Sequence, residues 1–225
     1  MYIGVKGDLM VKKDRLDIVF EDKNILVVNK PSHLLTISTD NEKERTLFHK
    51  VYLYCNKKNQ HVFIVHRLDK DTSGLIVFAK NEKVKNILQK NWDSVKRGYI
   101  AIVDGIVENK EKTLKNYLAE TKTLMTYVTD SKNGKLALTH YRKVRTNKLY
   151  TLLDIEILTG RKNQIRVQLN EIGHPILGDR KYGNGKDPIR RLCLHAYKLE
   201  FNHPITNELL KFETDVPNTF INLIK

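Results

Sequence analysis

Five short runs rich in β-branched and aromatic residues limit the fold more than any other feature: 25–29 (ILVVN), 61–65 (HVFIV), 75–79 (LIVFA), 99–103 (YIAIV) and 150–158 (YTLLDIEIL). Runs of this kind read as strands. Helical spacing is sparser. Asn81 is placed to cap a helix over 81–92, in which Val84, Ile87, Leu88 and Trp92 recur at three- and four-residue steps. A second helix is predicted over 162–172, with Ile165, Leu169 and Ile172 on its apolar face and Gly173 as its stop. A short closing helix is predicted over 217–224, behind Pro217. Strands outnumber helices and do not alternate with them, which predicts an α+β fold around a mixed, largely antiparallel sheet with flanking helices. No linker, low-complexity tract or fixed-period repeat interrupts the chain, so residues 1–225 are expected to form one domain.

A chain of this length buries about 70–75% of the surface its unfolded form exposes, so its core needs neither disulfides nor a structural metal. The balance of 40 Lys and Arg against 26 Asp and Glu, net +14, favours a polyanionic partner, with nucleic acid first. A lysine-rich composition spread along the whole chain is the plain alternative. Cys55 and Cys193 lie far apart without zinc or redox spacing, which fits a reducing, cytoplasmic setting. The start lacks the apolar core of a signal peptide, and no run of about 20 apolar residues suggests a membrane span. The eight histidines are scattered, so no metal site is expected, and the glycines match neither a phosphate loop nor a dinucleotide fingerprint.

The densest polar stretch is His66 to Gly74, HRLDKDTSG, set between two strand runs. Where the backbone is extended, residues two apart share a face, so Arg67 and Asp69 can point together into a cleft. A turn whose Asp69, Asp71, Thr72 and Ser73 merely cap backbone groups is an equal reading of this stretch alone. Two further segments bear on the choice. Residues 97–105, RGYIAIVDG, place Tyr99 on a strand, where packing is the ordinary role. Residues 159–169, TGRKNQIRVQL, place Arg161, Lys162, Gln164 and Arg166 around a helix start, fit for phosphate or carboxylate or simply solvated.

Taken with VVNKPS at 27–32, GHPILGDRKYG at 173–183 and RLCLHAYKLEFNHP at 191–204, these segments resemble, in order and over nearly the whole chain, the RluA family of RNA pseudouridine synthases. The resemblance implies a pseudouridine synthase fold: a bisected mixed sheet with a central active-site cleft. It places the catalytic aspartate on Asp69, the family tyrosine on Tyr99 and the basic partner of the aspartate on Arg166. It implies RNA contacts from Lys30, His66, Arg67, Arg161, Lys162 and Gln164. It further implies uridine-to-pseudouridine isomerisation in structured ribosomal or transfer RNA, with no cofactor, no metal and no membrane partner, by a monomer. The chain departs from the family in reading Arg161-Lys162-Asn163-Gln164 where relatives have Arg-Thr-His-Gln, and Ser32-His33 where a glycine commonly follows Lys-Pro. No separate RNA-binding module is expected before the catalytic domain. Two alternatives stay open: a non-catalytic RNA-binding protein on the same scaffold, and a nuclease using Asp69 and Asp71 with a metal.

Overall fold

The computed structural model describes residues 16–38, 42–185 and 188–225. Strand β1 (Ile18–Glu21) pairs antiparallel with β2 (Ile25–Lys30), which pairs in turn with β4 (Ser73–Ala79); the short β3 (Phe63–Ile64) also joins β4. The sheet continues through β10 (Leu194–Asn202), β5 (Lys96–Asp104), β9 (Tyr150–Ile157), β8 (Lys135–Thr146), β6 (Glu111–Glu120) and β7 (Thr126–Thr129), while β11 (Leu209–Glu213) pairs with β10. This is the mixed, largely antiparallel α+β sheet that the strand runs predict. Its parallel pair is β4 with β10, where His195 faces Ser73 and Ala196 faces Gly74.

β2 and β4 are apolar along their length because both faces are covered. Leu26, Val28, Ile76 and Phe78 meet α1 (Leu47–Asn56) through Leu47, Val51 and Cys55. Ile25, Val27, Leu75 and Val77 meet α2 (Glu82–Lys90) through Val84 and Leu88. Asn81 caps α2 as predicted, its Oδ1 accepting from Val84 N at 2.9 Å. Trp92 falls beyond the helix in a single 3-10 turn, Trp92–Ser94. α1 has no counterpart among the predicted helices; its N-cap is Thr46, whose hydroxyl accepts from His49 N at 3.1 Å.

The predicted helix over 162–172 is shorter, α3 (Gln164–Glu171). Asn163 adopts the left-handed conformation, φ 53°, and so breaks the helix before it starts, leaving Arg161 and Lys162 in the preceding turn. α3 lies against β6, β7 and β8, and Gln164 through Leu169 are all buried. α4 (Asn218–Leu223) closes the chain where a helix is predicted. Among the described residues no helix is long and apolar enough to cross a membrane.

The β4–β10 seam depends on glycine. Gly74 has φ +121°, and a Cβ there would stand 2.2 Å from Ala196 O. Beside it, Ser73 Oγ and His195 Nδ1 lie 2.7 Å apart, and Arg191 Nη2 donates to the same Ser73 Oγ at 2.5 Å.

Candidate active site

The segment between β3 and β4 leaves the sheet and exposes a polar loop, which the chain from Lys30 to Thr36 holds in shape. Lys30 Nζ donates to Lys70 O at 3.0 Å, and Ser32 Oγ donates to Asp71 O at 2.6 Å. His33 Nδ1 lies 2.8 Å from Asp71 Oδ1. Thr36 Oγ1 donates to Leu68 O at 2.7 Å and accepts from Leu68 N at 3.2 Å. Asp69 is thereby presented while Asp71 is turned to His33.

Lys30, expected among the RNA contacts, is corrected by this arrangement. It is fully buried, and its ammonium is spent on the carbonyls of Pro31, Leu34 and Lys70. Burial pulls its pKa down to about 7, with Asp71 and Asp69 pulling the other way. Gln164 is corrected likewise. It is buried, with Oε1 accepting from Thr159 Oγ1 at 2.7 Å and Arg161 N at 3.0 Å and Nε2 donating to Leu138 O and Thr139 Oγ1, so it ties the 159–164 turn to β8.

A cavity of about 310 Å³ opens between this loop and the start of α3, at the small end of the roughly 300–1,000 Å³ of ligand pockets. Asp69, Tyr99, Arg97, Ile165, Arg166 and Leu194 are among its walls. Asp69 and Arg166, 97 positions apart, meet here: Arg166 Nη1 donates to Asp69 Oδ2 at 3.2 Å. The guanidinium is itself fixed. Nε and Nη2 donate to the two oxygens of Asp179 at 2.7 Å each, Nη1 also reaches Asn163 Oδ1 at 3.1 Å, and the group lies over the Tyr182 ring. Burial opposes the charge on Arg166, but the Asp179 and Asp69 carboxylates outweigh it and hold its pKa above the usual arginine value. Burial likewise opposes the charge on Asp179; the Arg166 hydrogen bonds and the N–H groups of Lys181 and Tyr182 outweigh it and lower its pKa.

Asp179, Asn163 and Tyr182 were not expected at the site. Asp179 stands in the Gly-Asp turn of GDRKYG, and an acid in such a turn is the signal that could have pointed to it. Asn163, one of the departures from the family pattern, supplies both the left-handed residue before α3 and an acceptor for Arg166, while its amide donates to Tyr182 Oη at 3.0 Å.

Tyr99 is buried against the cavity, and burial pushes its pKa up to about 12, with Arg97 opposing and Asp69 adding to the rise. His66 lines the same cavity, but its Nε2 accepts from Val77 N at 3.1 Å and its ring lies tilted against Trp92, with centroids 4.3 Å apart. Burial, with Arg97 nearby, pushes its pKa down to about 3, so the ring is neutral and offers RNA no charge. Arg67 is exposed at the cleft mouth. Arg161 is exposed with its Nε on Leu136 O, and Lys162 pairs with Glu120 at 2.6 Å. Among the described residues no cluster of three or more His, Cys, Asp or Glu side chains is placed to hold a metal.

Residues 24–171 match the RNA pseudouridylate synthase family. The chain is 38% identical over 216 residues to an uncharacterized RNA pseudouridine synthase, YhcT, of Bacillus subtilis (strain 168), covering 93% of this chain and 72% of that protein. It is 34% identical over 225 residues to the ribosomal large subunit pseudouridine synthase D of Neisseria meningitidis (serogroup A), covering 93% of this chain and 60% of that protein. In fold it is similar to human RNA pseudouridylate synthase domain containing 1, with a TM-score of 0.76 at 24% identity over 100% of this chain and 89% of that one. With a family match over most of its length and relatives above 30% identity along nearly all of it, the chain belongs to the RNA pseudouridine synthases, in the RluA-type family.

Proposed function

We propose that this protein isomerises particular uridines of structured ribosomal or transfer RNA to pseudouridine, with Asp69 as its catalytic carboxylate, acting as a cytoplasmic monomer without a cofactor. The observation that carries the assignment of Asp69 is its contact with Arg166, a buried cation that is already locked by Asp179 before any RNA arrives.

The reaction breaks the bond between uracil N1 and ribose C1′, turns the base, and joins C5 to C1′ with loss of the C5 proton. Positive charge or a covalent adduct at the sugar must be stabilised, and an ionised carboxylate does either. RNA phosphates and desolvation both act to neutralise such a carboxylate; a fixed guanidinium beside it opposes them. The target base must leave its stack, at a cost of a few kcal/mol. Arg67, exposed at the mouth, is suited to fill the vacated place, since a planar guanidinium stacks on bases and contacts phosphate. Tyr99, buried against the same cavity, is suited to pack on the flipped base, and its high pKa makes its phenol a poor base at neutral pH.

The test is tritium release from ribosomal and transfer RNA labelled at uracil C5, with wild type and Asp69→Asn side by side. Release by wild type alone supports the reading, and mapping the modified position names the substrate. Equal release by both variants removes Asp69 from the chemistry. Salt-dependent RNA binding without release by either protein favours a non-catalytic RNA-binding role.

A further inference from the structure

Arg97 is a charged side chain of the cleft to which the proposed reaction gives no task. Arg97 lies on β5 two residues before Tyr99, so the two side chains leave the same face of the strand, and both line the cavity that holds Asp69. Arg97 is only 6% exposed. A buried guanidinium is costly unless acceptors or opposite charges surround it, and here they are few. Nε donates to Val95 O at 3.2 Å, the group lies over the Trp92 ring at 5.9 Å, and Nη2 is buried with no hydrogen-bond partner. Among the described residues Arg97 makes no ion pair. Opposite it stands Gly160, where a Cβ would come within 3.1 Å of Nη1, so bare backbone keeps that approach clear.

We propose that Arg97 is a further catalytic residue, whose guanidinium hydrogen-bonds a carbonyl oxygen of the flipped uracil and stabilises the negative charge on that base once it is detached. This rests on the proposed uridine isomerisation. When the C1′–N1 bond breaks, its electron pair stays with the base and spreads over N1, O2 and O4. The base then bonds to C1′ through C5, and the C5 proton is finally balanced by one on N1, so composition is unchanged and Arg97 gives up no proton. The other groups of the cavity are unsuited to hold the anion. Asp69 is an acid and repels it, Arg67 is exposed at the mouth and given to the vacated stack, Arg166 is held by two carboxylates, Lys162 is paired with Glu120, Arg161 is turned to Leu136 O, and neither Tyr99 nor His66 carries a positive charge. A fixed donor aimed at charge that develops only during reaction acts on kcat rather than on ground-state binding.

The experiment measures kcat and KM for tritium release from the mapped RNA by the full chain, as wild type, Arg97→Lys, Arg97→Met and Arg97→Ala. Arg97→Met is expected to lower kcat about 10²–10³-fold, as loss of one such donor does elsewhere, with RNA affinity and melting temperature little changed. Arg97→Lys keeps the charge and loses less. Arg97→Ala regains rate saturably with added guanidinium and not with urea, a response a structural role would not give. Near-normal kcat in Arg97→Met, or a rise in KM alone, overturns the role of Arg97 while leaving isomerisation intact. No release by wild type overturns isomerisation and this role with it. Should Arg97→Met fail to fold, Asp69→Asn decides through fluorescence of Trp92, the chain's single tryptophan. Barbiturate, a uracil-shaped ring that is anionic at neutral pH, is expected to bind more tightly than neutral uracil, and equal or weaker binding overturns the proposal.

Discussion

Arg166 gives its shorter contacts to Asp179 and its longer one to Asp69: two hydrogen bonds of 2.7 Å to the first carboxylate, one of 3.2 Å to the second. Asp179 is nearly sealed, with 1% of its side chain exposed, whereas Asp69 keeps 31%. One acid therefore anchors the cation and the other remains open to react. Asp179→Asn leaves a buried guanidinium half compensated, a kind of loss that costs about 3–5 kcal/mol, and frees Arg166 to swing onto Asp69. Urea unfolding is expected to show the destabilisation, and tritium release a fall in kcat. Because the folded-state pKa of Asp179 is depressed, its contribution is full above the ordinary carboxylate range and is lost as pH falls through the folded value. The variant should lose that part of the acid-side dependence, and an unchanged stability at pH 7 would show that Asp179 is not the anchor.

Arg166→Lys separates positioning from RNA contact. Lysine keeps the charge but cannot grip Asp179 with two parallel donors while touching Asp69 with a third. The side chain is only 7% exposed, so a direct phosphate contact is not its role. The expected result is a kcat reduced by about 10²-fold or more, on the scale of losing one preorganised electrostatic partner, with the salt dependence of RNA binding unaltered. A slope reduced by about 0.7–0.9 would instead assign Arg166 to a phosphate.

Lys30→Met tests whether this ammonium ties down its own backbone rather than RNA. Three carbonyls lose their donor, and a buried acceptor left without one costs about 1–3 kcal/mol. Since the carbonyl of Lys70 is among them, the loop next to Asp69 loosens as well, and activity is expected to fall together with melting temperature. The pH dependence follows from the folded-state pKa of about 7. Between that value and the ordinary lysine value of about 10.4 the unfolded chain holds more protons, so stability rises with pH across this window. Lys30→Met should flatten the rise. Loss of RNA binding with stability and its pH profile intact would restore Lys30 as an RNA contact.

Much of the sheet can be read from sequence where strands are apolar on both faces. β2, β4 and β5 coincide with the β-branched runs because helices or neighbouring strands cover them, and β9 is legible through its alternation of buried Leu153, Ile155 and Ile157 with outward residues. β6 and β8 escape such reading. Exposed Glu111, Lys112, Lys115, Lys135 and Arg142 face solvent, and the few apolar residues that turn inward, such as Leu114, Leu118 and Ala137, share that side with the buried Thr139. β10 escapes for another reason: His195 and Glu200 are buried in it and satisfied by Ser73 and Lys198, which spacing alone does not foretell. At the site, the ordered segments lead to Asp69 and Arg166, and the structure brings the two together. Lys30 and Gln164 were misplaced because a polar residue inside a motif reads the same whether it faces RNA or ties down its own backbone. Asp179 stayed hidden because its partner is 13 positions away, on a helix whose first turn begins two residues later than the pattern suggests.

The two halves of the site are carried by opposite sides of the β4–β10 seam, so the closeness of that seam is testable through catalysis. Asp69 stands on the loop entering β4, and Arg166 on the helix that leans on β6, β7 and β8. Gly74→Ala would add a Cβ 2.2 Å from Ala196 O, at a backbone angle that L side chains rarely adopt. Neither backbone can yield without parting the pairing of Ser73 with His195 and Gly74 with Ala196. Strain of the backbone alone costs about 1–3 kcal/mol, and the collision adds to it. The expected outcome is a lower urea midpoint and, in the fraction that still folds, a reduced kcat with nearly normal RNA affinity, because the basic residues at the cleft mouth are untouched. Wild-type stability and rate in Gly74→Ala would mean that the strands can separate there freely, and that the spacing of Asp69 from Arg166 is set by something other than the seam.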